Sequence, residues 1–226
     1  MEKTINRIVV GDIQTNCWLY PVDEISSLPG TLSCAVIDPG DEDDQIIARI
    51  RELNWLPHYI FLTHGHLDHL AALPLLLKAC EKTWGVLPKI GIHRLDAHYL
   101  GKDSQKVHRE SLRAAGGSAF ADALWKPMPN ADLILEEGDL AGPFRILHLP
   151  GHSPGSIGFY DERAGVLFSG DTLFKGDWGR TDLPGGDESK IRQSLKRLLS
   201  MKGEIAVFPG HGPATTINDE AGLLGS

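Results

Sequence analysis

The segment FLTHGHLDHL, residues 61–70, constrains the fold more than any other part of the sequence. It places three of the chain's ten histidines and an aspartate directly after an apolar run that is typical of a buried strand. Because alternating side chains of an extended segment point the same way, His64 and His66 can bind one metal ion while Asp68 and His69 face a second. Imidazole nitrogens and carboxylate oxygens are both ligands that zinc accepts. The segment therefore predicts a metal-binding loop at the end of a strand.

Three later segments repeat a pattern of hydrophobic strand, small or turn-forming residue, and then histidine or aspartate. They are HLPGHSPGS with His152, VLFSGDTLF with Asp171, and IAVFPGHGP with His211. Loops at the ends of strands are where a rigid scaffold presents functional groups. We therefore expect these three side chains to join the loop at 64–69. The remaining histidines lack the pattern and are interpreted as surface or supporting residues: His58, His93, His98, His108 and His148.

Hydrophobic patterning predicts two similar halves that combine strands and helices without a low-complexity linker between them. The predicted strands are residues 5–10, 17–20, 34–38, 59–63, 133–136, 144–149, 156–160, 166–170 and 205–210. The predicted helices are residues 41–53, 70–82 and 188–199. This order fits two packed sheets with helices outside them. We expect residues 93–130 to be helical or irregular and to shape the substrate pocket, and residues 212–226 to form a poorly ordered tail.

The charge and the cysteine content exclude several classes of function and indicate a compartment. A formal net charge of −8 without a run of basic residues argues against a nucleic-acid-binding surface. The N-terminal segment MEKTINRIVVGDIQTN lacks the apolar core of a signal peptide, and no apolar stretch approaches the roughly 20 residues that span a bilayer. The three cysteines are far apart and form no C-x-x-C pair. We expect a cytoplasmic protein with reduced thiols and no membrane partner.

Together the four segments resemble the metallo-β-lactamase superfamily, whose H-x-H-x-D-H signature is matched by residues 64–69. The resemblance extends from TNCWLY to PGHGP and implies an α/β (α+β) fold, a four-layer αββα sandwich, as a single domain over residues 1–211. It implies that one ion is bound by His64, His66 and His152, a second by Asp68, His69 and His211, and that Asp171 bridges both. Seven ligands without a cysteine, shared by two ions, leave coordination positions open, as in catalytic sites.

Within the superfamily the chain is most similar to the short glyoxalase II-like thioesterases, in the stretch FSGDTLFKGDWGRTD. This resemblance implies two divalent cations, zinc first with iron or manganese as alternatives. It also implies hydrolysis of S-acylglutathione-type thioesters by a metal-bridging hydroxide, a catalytic role for Asp68 and a substrate-binding role for Arg180.

The chain also departs from the glyoxalase II pattern. Asp182 occupies a position where an aromatic phenol is expected, and the helical C-terminal domain of full glyoxalase II enzymes has no counterpart in this sequence. Arg180 has a second interpretation, in which it pairs with Asp177 or Asp182 and fixes its loop. The departures leave the hydrolytic site complete but put recognition of glutathione in question.

Other functions on the same fold stay open at this point. An iron-dependent persulfide (sulfur) dioxygenase uses two histidines and an aspartate, and His64, His152 and Asp171 are present for either reaction. A lactone or phosphodiester hydrolase is a further alternative, because function depends on the pocket around such a site. A metal-stabilised binding protein without turnover is disfavoured, since none of the expected ligands is replaced. The expected partner is a small thioester molecule of the glutathione-linked type, and the expected assembly is a monomer or homodimer.

Overall fold

The computed structural model describes residues 4–113 and 116–225, which form two six-stranded sheets and five α-helices. The first sheet contains, in spatial order, β1 (Asn6–Val10), β2 (Thr15–Pro21), β3 (Leu32–Ile37), β4 (Trp55–Phe61), β5 (Lys89–His93) and β6 (Leu133–Leu135). The second contains β12 (Thr215–Thr216), β11 (Ala206–Pro209), β10 (Val166–Gly170), β9 (Ile157–Asp161), β8 (Phe144–His148) and β7 (Leu140–Ala141). The helices are α1 (Asp43–Glu52), α2 (Leu73–Trp84), α3 (Gln105–Arg113), α4 (Ser118–Leu124) and α5 (Glu188–Leu199).

Three apolar layers hold the helices and sheets together: one between α1 and α2 and the first sheet, one between the two sheets, and one between the second sheet and α5. Successive residues of a strand face opposite sides of a sheet, so Cys34 and Val36 of β3 pack on the side of α1 and α2, whereas Ala35 and Ile37 face the second sheet. On the far side of the second sheet, Leu147, Leu167 and Val207 pack with α5 residues such as Leu195. The predicted four-layer αββα order in one domain is confirmed.

Parallel pairing brings the ends of several strands to one edge of the molecule. Strands β3 to β6 run parallel to one another, and β10 runs parallel to β11. The carboxyl ends of neighbouring parallel strands lie at the same edge of a sheet. Within each sheet, the loops that follow these strands are therefore neighbours. Among the described residues, no helix has the length and apolar character that crossing a membrane requires.

The helix predictions agree with the structure more closely than the strand predictions do. Helix α5 spans the predicted residues 188–199, and α1 and α2 lie at the predicted places. Pro74 stands in the first turn of α2, where its missing N–H has no intrahelical partner to lose. Strand β4 begins four residues before the predicted start and ends two residues before the predicted end. Strands β5, β7 and β12 were not predicted.

The expectation of a poorly ordered C-terminal tail is wrong for residues 215–220, which pack against the second sheet and the α5 layer. Thr215–Thr216 form β12 beside β11, and Ile217 is only 2% exposed within the apolar layer of α5. Buried Glu220 anchors the segment further, because it accepts hydrogen bonds from Thr215 Oγ1 at 2.6 Å and from the backbone N–H of Gly176 at 2.8 Å. Ser226, at the end of this predicted tail, lies outside the described residues, as do residues 1–3 at the start of the N-terminal segment.

Candidate metal centre

The seven side chains singled out in the sequence lie together at the edge where the strand ends meet. Each follows a strand: His64 to His69 come after β4, His152 after β8, Asp171 directly after β10, and His211 after β11. Among the described residues, three groups have ligand atoms that all lie within 4.8 Å of one another. These groups are His64, His66 and His152; Asp68, His69 and His211; and His64, His69 and Asp171. We call the seven residues the His/Asp cluster.

The first group consists of three buried imidazole rings set edge-on to one another. The ring centroids of His64 and His66, of His64 and His152, and of His66 and His152 are 4.7, 4.7 and 4.6 Å apart, with interplanar angles of 83°, 81° and 85°. The Nδ1 atom of His66 lies 2.8 Å from Nε2 of His152. The three rings therefore bring three imidazole nitrogens within 4.8 Å of one another.

Asp171 lies between this group and the second one. Its Oδ1 is 3.4 Å from His69 Nε2, and its Oδ2 is 3.6 Å from both His152 Nε2 and His211 Nε2. Asp68 Oδ2 lies 3.2 Å from His69 Nε2 and 3.4 Å from His211 Nε2. The arrangement has the form that the resemblance implies, with one carboxylate between two groups of ligands; the assignment of each residue to an ion stays a prediction.

Three observations test whether the cluster fits divalent cations. The buried atoms His64 Nε2, His66 Nε2, His69 Nε2 and Asp171 Oδ1 have no hydrogen-bond partner among the described residues, although such atoms are normally satisfied. The backbone at Gly210 approaches so closely that an added Cβ would overlap Asp171 Oδ1 and lie 2.7 Å from His69 Cε1. The donor set combines imidazole nitrogen and carboxylate oxygen, which suits zinc, iron or manganese. The residues fit such an ion.

The protonation states of His64, His66 and Asp171 also suit cations. Burial lowers the pKa of His64 and His66, and neighbouring imidazoles lower it further, to about 3 for His66. Both rings are therefore neutral near pH 7, which is the form that binds a metal ion. Burial also disfavours the charged form of His69, but nearby carboxylates, Asp68 first, raise its pKa well above the ordinary value. Burial acts to raise the pKa of Asp171, yet the histidines around it, His69 foremost, lower it to about 2. The ionised carboxylates thus attract positive charge into the cluster.

Asp38 holds His69 in place and was missed by the sequence analysis as a site residue. Its side chain is buried, and its Oδ2 accepts hydrogen bonds from His69 Nδ1 at 3.0 Å and from Thr63 Oγ1 at 2.7 Å. Its Oδ1 accepts from the backbone N–H of Thr63 at 2.8 Å. A carboxylate on the far nitrogen fixes the tautomer and orientation of a metal-binding imidazole. Asp38 follows β3 and so shares the pattern of a strand followed by aspartate, but as a single residue outside any motif it did not stand out.

Asp96 is a second residue that the sequence analysis missed, and it connects two loops of the cluster. It is fully buried and accepts hydrogen bonds from Gly65 N at 2.9 Å, Ser153 Oγ at 2.6 Å and Gly155 N at 2.7 Å. Gly65 lies between two histidines of the cluster, and Ser153 follows His152. Asp96 therefore fixes the loop of the first sheet against the loop of the second. No pattern in the sequence around Asp96 marks this role.

Arg180 approaches the cluster through its backbone rather than its guanidinium. The carbonyl oxygen of Arg180 accepts a hydrogen bond from His152 Nδ1 at 2.7 Å, which orients that ring. The guanidinium forms two hydrogen bonds to the carboxylate of Asp182, at 2.6 and 2.7 Å, on the exposed surface. The alternative pairing with Asp182 is thus present in the structure. Substrate binding by Arg180 stays a prediction, and it requires this pair to open.

His93 and His148 are supporting residues, as the sequence interpretation allowed. Their rings stack with centroids 4.3 Å apart and an interplanar angle of 13°, which joins the end of β5 to the end of β8. His148 Nε2 donates to the carbonyl oxygen of Pro154 at 2.9 Å. The pair therefore helps to hold the loop after His152 at the junction of the two sheets.

Comparison with known proteins agrees with this geometry. The sequence model of the metallo-beta-lactamase superfamily matches residues 10–211. Hydroxyacylglutathione hydrolase GloC of Haemophilus influenzae is 36% identical over 218 residues, which cover 96% of this chain and 94% of that protein. The crystal structure of TTHA1623 in a di-iron-bound form is 37% identical with a TM-score of 0.77, and the crystal structure of the BLEG-1 B3 metallo-beta-lactamase is 31% identical with a TM-score of 0.74; both alignments cover 96% of each chain. The fold, the cluster and the matched sequence lead to one conclusion: the chain belongs to the metallo-beta-lactamase superfamily.

Proposed function

We propose that the chain is a thioesterase that hydrolyses small S-acylglutathione-type thioesters at two divalent metal ions. The observation that carries the proposal is that Asp171 lies close to histidines of two ligand groups, where buried nitrogen atoms have no hydrogen-bond partner among the described residues. Membership of the superfamily supports the coarser assignment, a metal-dependent hydrolase. Similarity to the hydroxyacylglutathione hydrolase GloC supports the thioester and glutathione parts.

In this proposal His64, His66 and His152 bind one ion, Asp68, His69 and His211 bind the other, and Asp171 belongs to both. The similarity to TTHA1623, which was solved in a di-iron-bound form, supports occupancy by two ions. Zinc is our first assignment, with iron and manganese as alternatives that the donor set also accepts. Divalent cations bound here supply Lewis acidity and bring the pKa of a water molecule towards 7.

The residues of the chain position the reacting groups. Asp68 is partly exposed while its neighbours His69 and His64 are buried, so its carboxylate meets solvent entering the cluster. Thr15 Oγ1 donates to Asp68 Oδ2 at 3.2 Å and holds it in this position. We assign to Asp68 the orientation of the attacking water. A thiolate leaving group needs little help from a general acid, because an ordinary thiol has a pKa of about 8.5.

The proposal also defines the partners. The net charge of −8 favours a small molecule over a nucleic acid. We retain the cytoplasmic localisation and the monomer or homodimer as predictions, each open to direct measurement by fractionation and by light scattering.

The test is hydrolysis of S-lactoylglutathione, a thioester of glutathione, before and after removal of metal. We expect chelation to reduce turnover at least a hundredfold and zinc, iron or manganese to restore it, because the uncoordinated cluster cannot activate water. Metal content is measured on the same samples. Undiminished turnover by metal-free protein contradicts the proposal. Turnover of glutathione persulfide with oxygen uptake, or of a lactone or β-lactam in place of the thioester, would assign a different reaction to the same cluster.

Two substitutions in the cluster separate the roles of the shared and unshared ligands. Asp171→Ala is expected to lower the occupancy of both ions, whereas His211→Ala is expected to affect mainly one. Asp177→Ala is the matched control, because Asp177 lies in the same loop but is exposed. Equal metal stoichiometry in Asp171→Ala and the parent protein would argue against the shared position of Asp171.

A further inference from the structure

We propose that a cavity beside Tyr99 binds the thiol-carrying part of the substrate, and that Arg113 and Glu110 there pair with the carboxylate and ammonium of an α-amino-acid group. The cavity has a volume of about 570 Å³ and is lined by residues that include Tyr99, Glu110, Ser111, Arg113, Pro154 and Pro184. We call it the Tyr99 cavity. The inference rests on the proposed thioesterase function and names where the thiol carrier lies.

Two residues that line the Tyr99 cavity, Tyr99 and Pro154, are also neighbours of the three-histidine group of the His/Asp cluster. The Tyr99 ring lies 6.1 Å from the ring of His66, and Pro154 follows His152 by two residues. A Cβ added at Gly65 would overlap the Tyr99 ring, so Tyr99 packs directly on the loop between His64 and His66. The volume is within the range of small-molecule sites. In this proposal the carbonyl of the thioester lies at the cluster, and the thiol carrier extends past Tyr99 and Pro154 into the cavity.

Two opposite charges line this cavity one helical turn apart. Glu110 and Arg113 are three residues apart on α3, a spacing that places side chains on the same face of a helix. Among the described residues, the guanidinium of Arg113 forms no hydrogen bond or ion pair, and its backbone carbonyl accepts a hydrogen bond from Gly116 N at 3.1 Å. Glu110 has one ion pair within the described part of the chain, at 3.7 Å to Lys106, between two exposed side chains, and such pairs contribute little. A guanidinium fork matches a carboxylate, and the glutamate accepts from an ammonium. The α-amino-acid end of a glutathione-type thiol carries both groups.

A second cavity, beside Asp68 of the cluster, is lined by acidic side chains, whereas Arg113 gives positive charge to the Tyr99 cavity. It has a volume of about 170 Å³ and touches Asp68 and Thr15. Its other charged lining residues are Asp12, Asp41 and Glu42, and no basic residue lines it within the described part of the chain. A substrate carboxylate is repelled from this wall. The charge distribution therefore directs the thiol carrier towards Arg113 and leaves the smaller cavity for the acyl group.

The experiment compares two thioesters of the same acyl group with metal-loaded enzyme: S-lactoylglutathione, and the S-lactoyl ester of N-acetylcysteamine, which lacks the amino-acid group. We expect Arg113→Glu to raise the KM for the glutathione ester about tenfold relative to the KM for the N-acetylcysteamine ester, with a smaller change in the ratio for Glu110→Gln. The kcat for the glutathione ester is expected to stay within about twofold, because the change is remote from the reacting atoms.

Arg109→Glu is the matched control, since Arg109 lies one turn earlier on α3, pairs with Asp122 at 3.5 Å, and does not line the Tyr99 cavity. It should leave the ratio of KM values unchanged. Arg113→Gln removes the charge without adding repulsion and serves if Arg113→Glu misfolds by circular dichroism. An unchanged ratio in both Arg113 variants, with the parent hydrolysing the esters, overturns the inference and leaves the thioesterase intact. A metal-loaded parent that hydrolyses neither ester overturns the proposed function and this inference with it.

Discussion

At the scale of single residues, the buried carboxylate of Asp38 supports the candidate centre from outside the cluster. Its hydrogen bonds to His69 and Thr63 orient the imidazole and place a negative charge behind it. Asp38 has a left-handed backbone with φ of 54°, a conformation that aspartate and asparagine tolerate better than most residues. The effect of its charge can therefore be tested with little disturbance of the backbone.

Asp38→Asn is expected to weaken metal binding about 10- to 100-fold, because the amide has no negative charge to attract a cation through His69. The measurement is competition with a chelator of known affinity. Asn54→Asp is the control, since it makes the reverse change at another left-handed residue, with φ of 55°, at the amino end of β4. Equal affinity of Asp38→Asn and the parent protein would show that His69 does not depend on Asp38.

The sequence predicted residues that follow strands in short motifs, and it missed residues that act alone. His64 and His69 were predicted as metal ligands because they lie in one short loop with two other potential ligands, and metal binding explains why several histidines are so close together. Asp38 and Asp96 each contribute one carboxylate, and an isolated aspartate after a strand or in a turn is ordinary in any chain. Each acts through a hydrogen bond to a residue 31 positions away in the sequence: Asp38 bonds to His69, and Asp96 bonds to Gly65. Spacing within one motif does not reveal such contacts.

At the scale of elements, helix α3 is attached to the cluster through Tyr99. Buried His108 on α3 donates from Nε2 to the carbonyl oxygen of Tyr99 at 2.9 Å, and the Tyr99 hydroxyl donates to Ser111 Oγ at 3.3 Å. Burial lowers the pKa of His108 to about 4. The position of α3 against the metal-binding loop therefore depends on a histidine that is neutral in the folded chain.

The titration of His108 predicts a specific loss of stability in acid. An unfolded histidine has a pKa of about 6.5, so between about pH 6.5 and pH 4 the unfolded chain binds a proton that the folded chain does not. The free energy of unfolding is expected to fall by roughly 2–3 kcal/mol from this residue as the pH decreases through that window. His108→Gln keeps a donor for Tyr99 but cannot titrate, and it should remove this part of the pH dependence.

Urea unfolding at several pH values, with a chelator present throughout, measures the effect of His108→Gln. The reference is the parent protein, measured at the same pH values. The prediction is wrong if His108→Gln and the parent lose stability in parallel between pH 6.5 and pH 4.5.

Among the elements, helices with a clear apolar face were predicted and short strands were not. Ile46, Ile47 and Ile50 mark the buried side of α1, and a helical period of this kind is readable in any sequence. Strand β5 has the sequence KIGIH, in which Gly91 interrupts the apolar pattern. The structure gives the reason for the glycine, since a Cβ there would lie 2.9 Å from Phe61 and 3.0 Å from Leu135. Such neighbours belong to other strands and leave no local signal.

At the scale of the whole molecule, the C-terminal segment closes the second sheet. Strand β12 covers the edge of β11, and Glu220 connects this segment to the loop that follows Asp171. Glu220 and Gly176 are 44 residues apart in sequence, and Ile217 packs in the apolar layer of α5. The segment is therefore held by both hydrogen bonds and apolar packing, and the long-range hydrogen bond is a contact that composition does not reveal.

Glu220→Ala is expected to lower the free energy of unfolding by about 1–3 kcal/mol, because Thr215 Oγ1 and Gly176 N–H lose their acceptor in a buried place. Chemical denaturation of the purified chain measures the change. Asp219→Ala at the exposed neighbouring position should stay within about 0.5 kcal/mol of the parent. Similar effects of the two substitutions would mean that the segment is not anchored through Glu220.

The spread of the His/Asp cluster along the chain sets an order of events during synthesis. The cluster begins at His64 and is completed only by His211, which follows the last long strand of the second sheet. A nascent chain emerges from its amino end and its early parts begin to fold before the rest is made. Such a chain exposes the first four members of the cluster well before their partners exist. The complete set of seven side chains therefore exists only after residue 211 has been made, and a metal ion that needs both halves of the cluster cannot be held before that point.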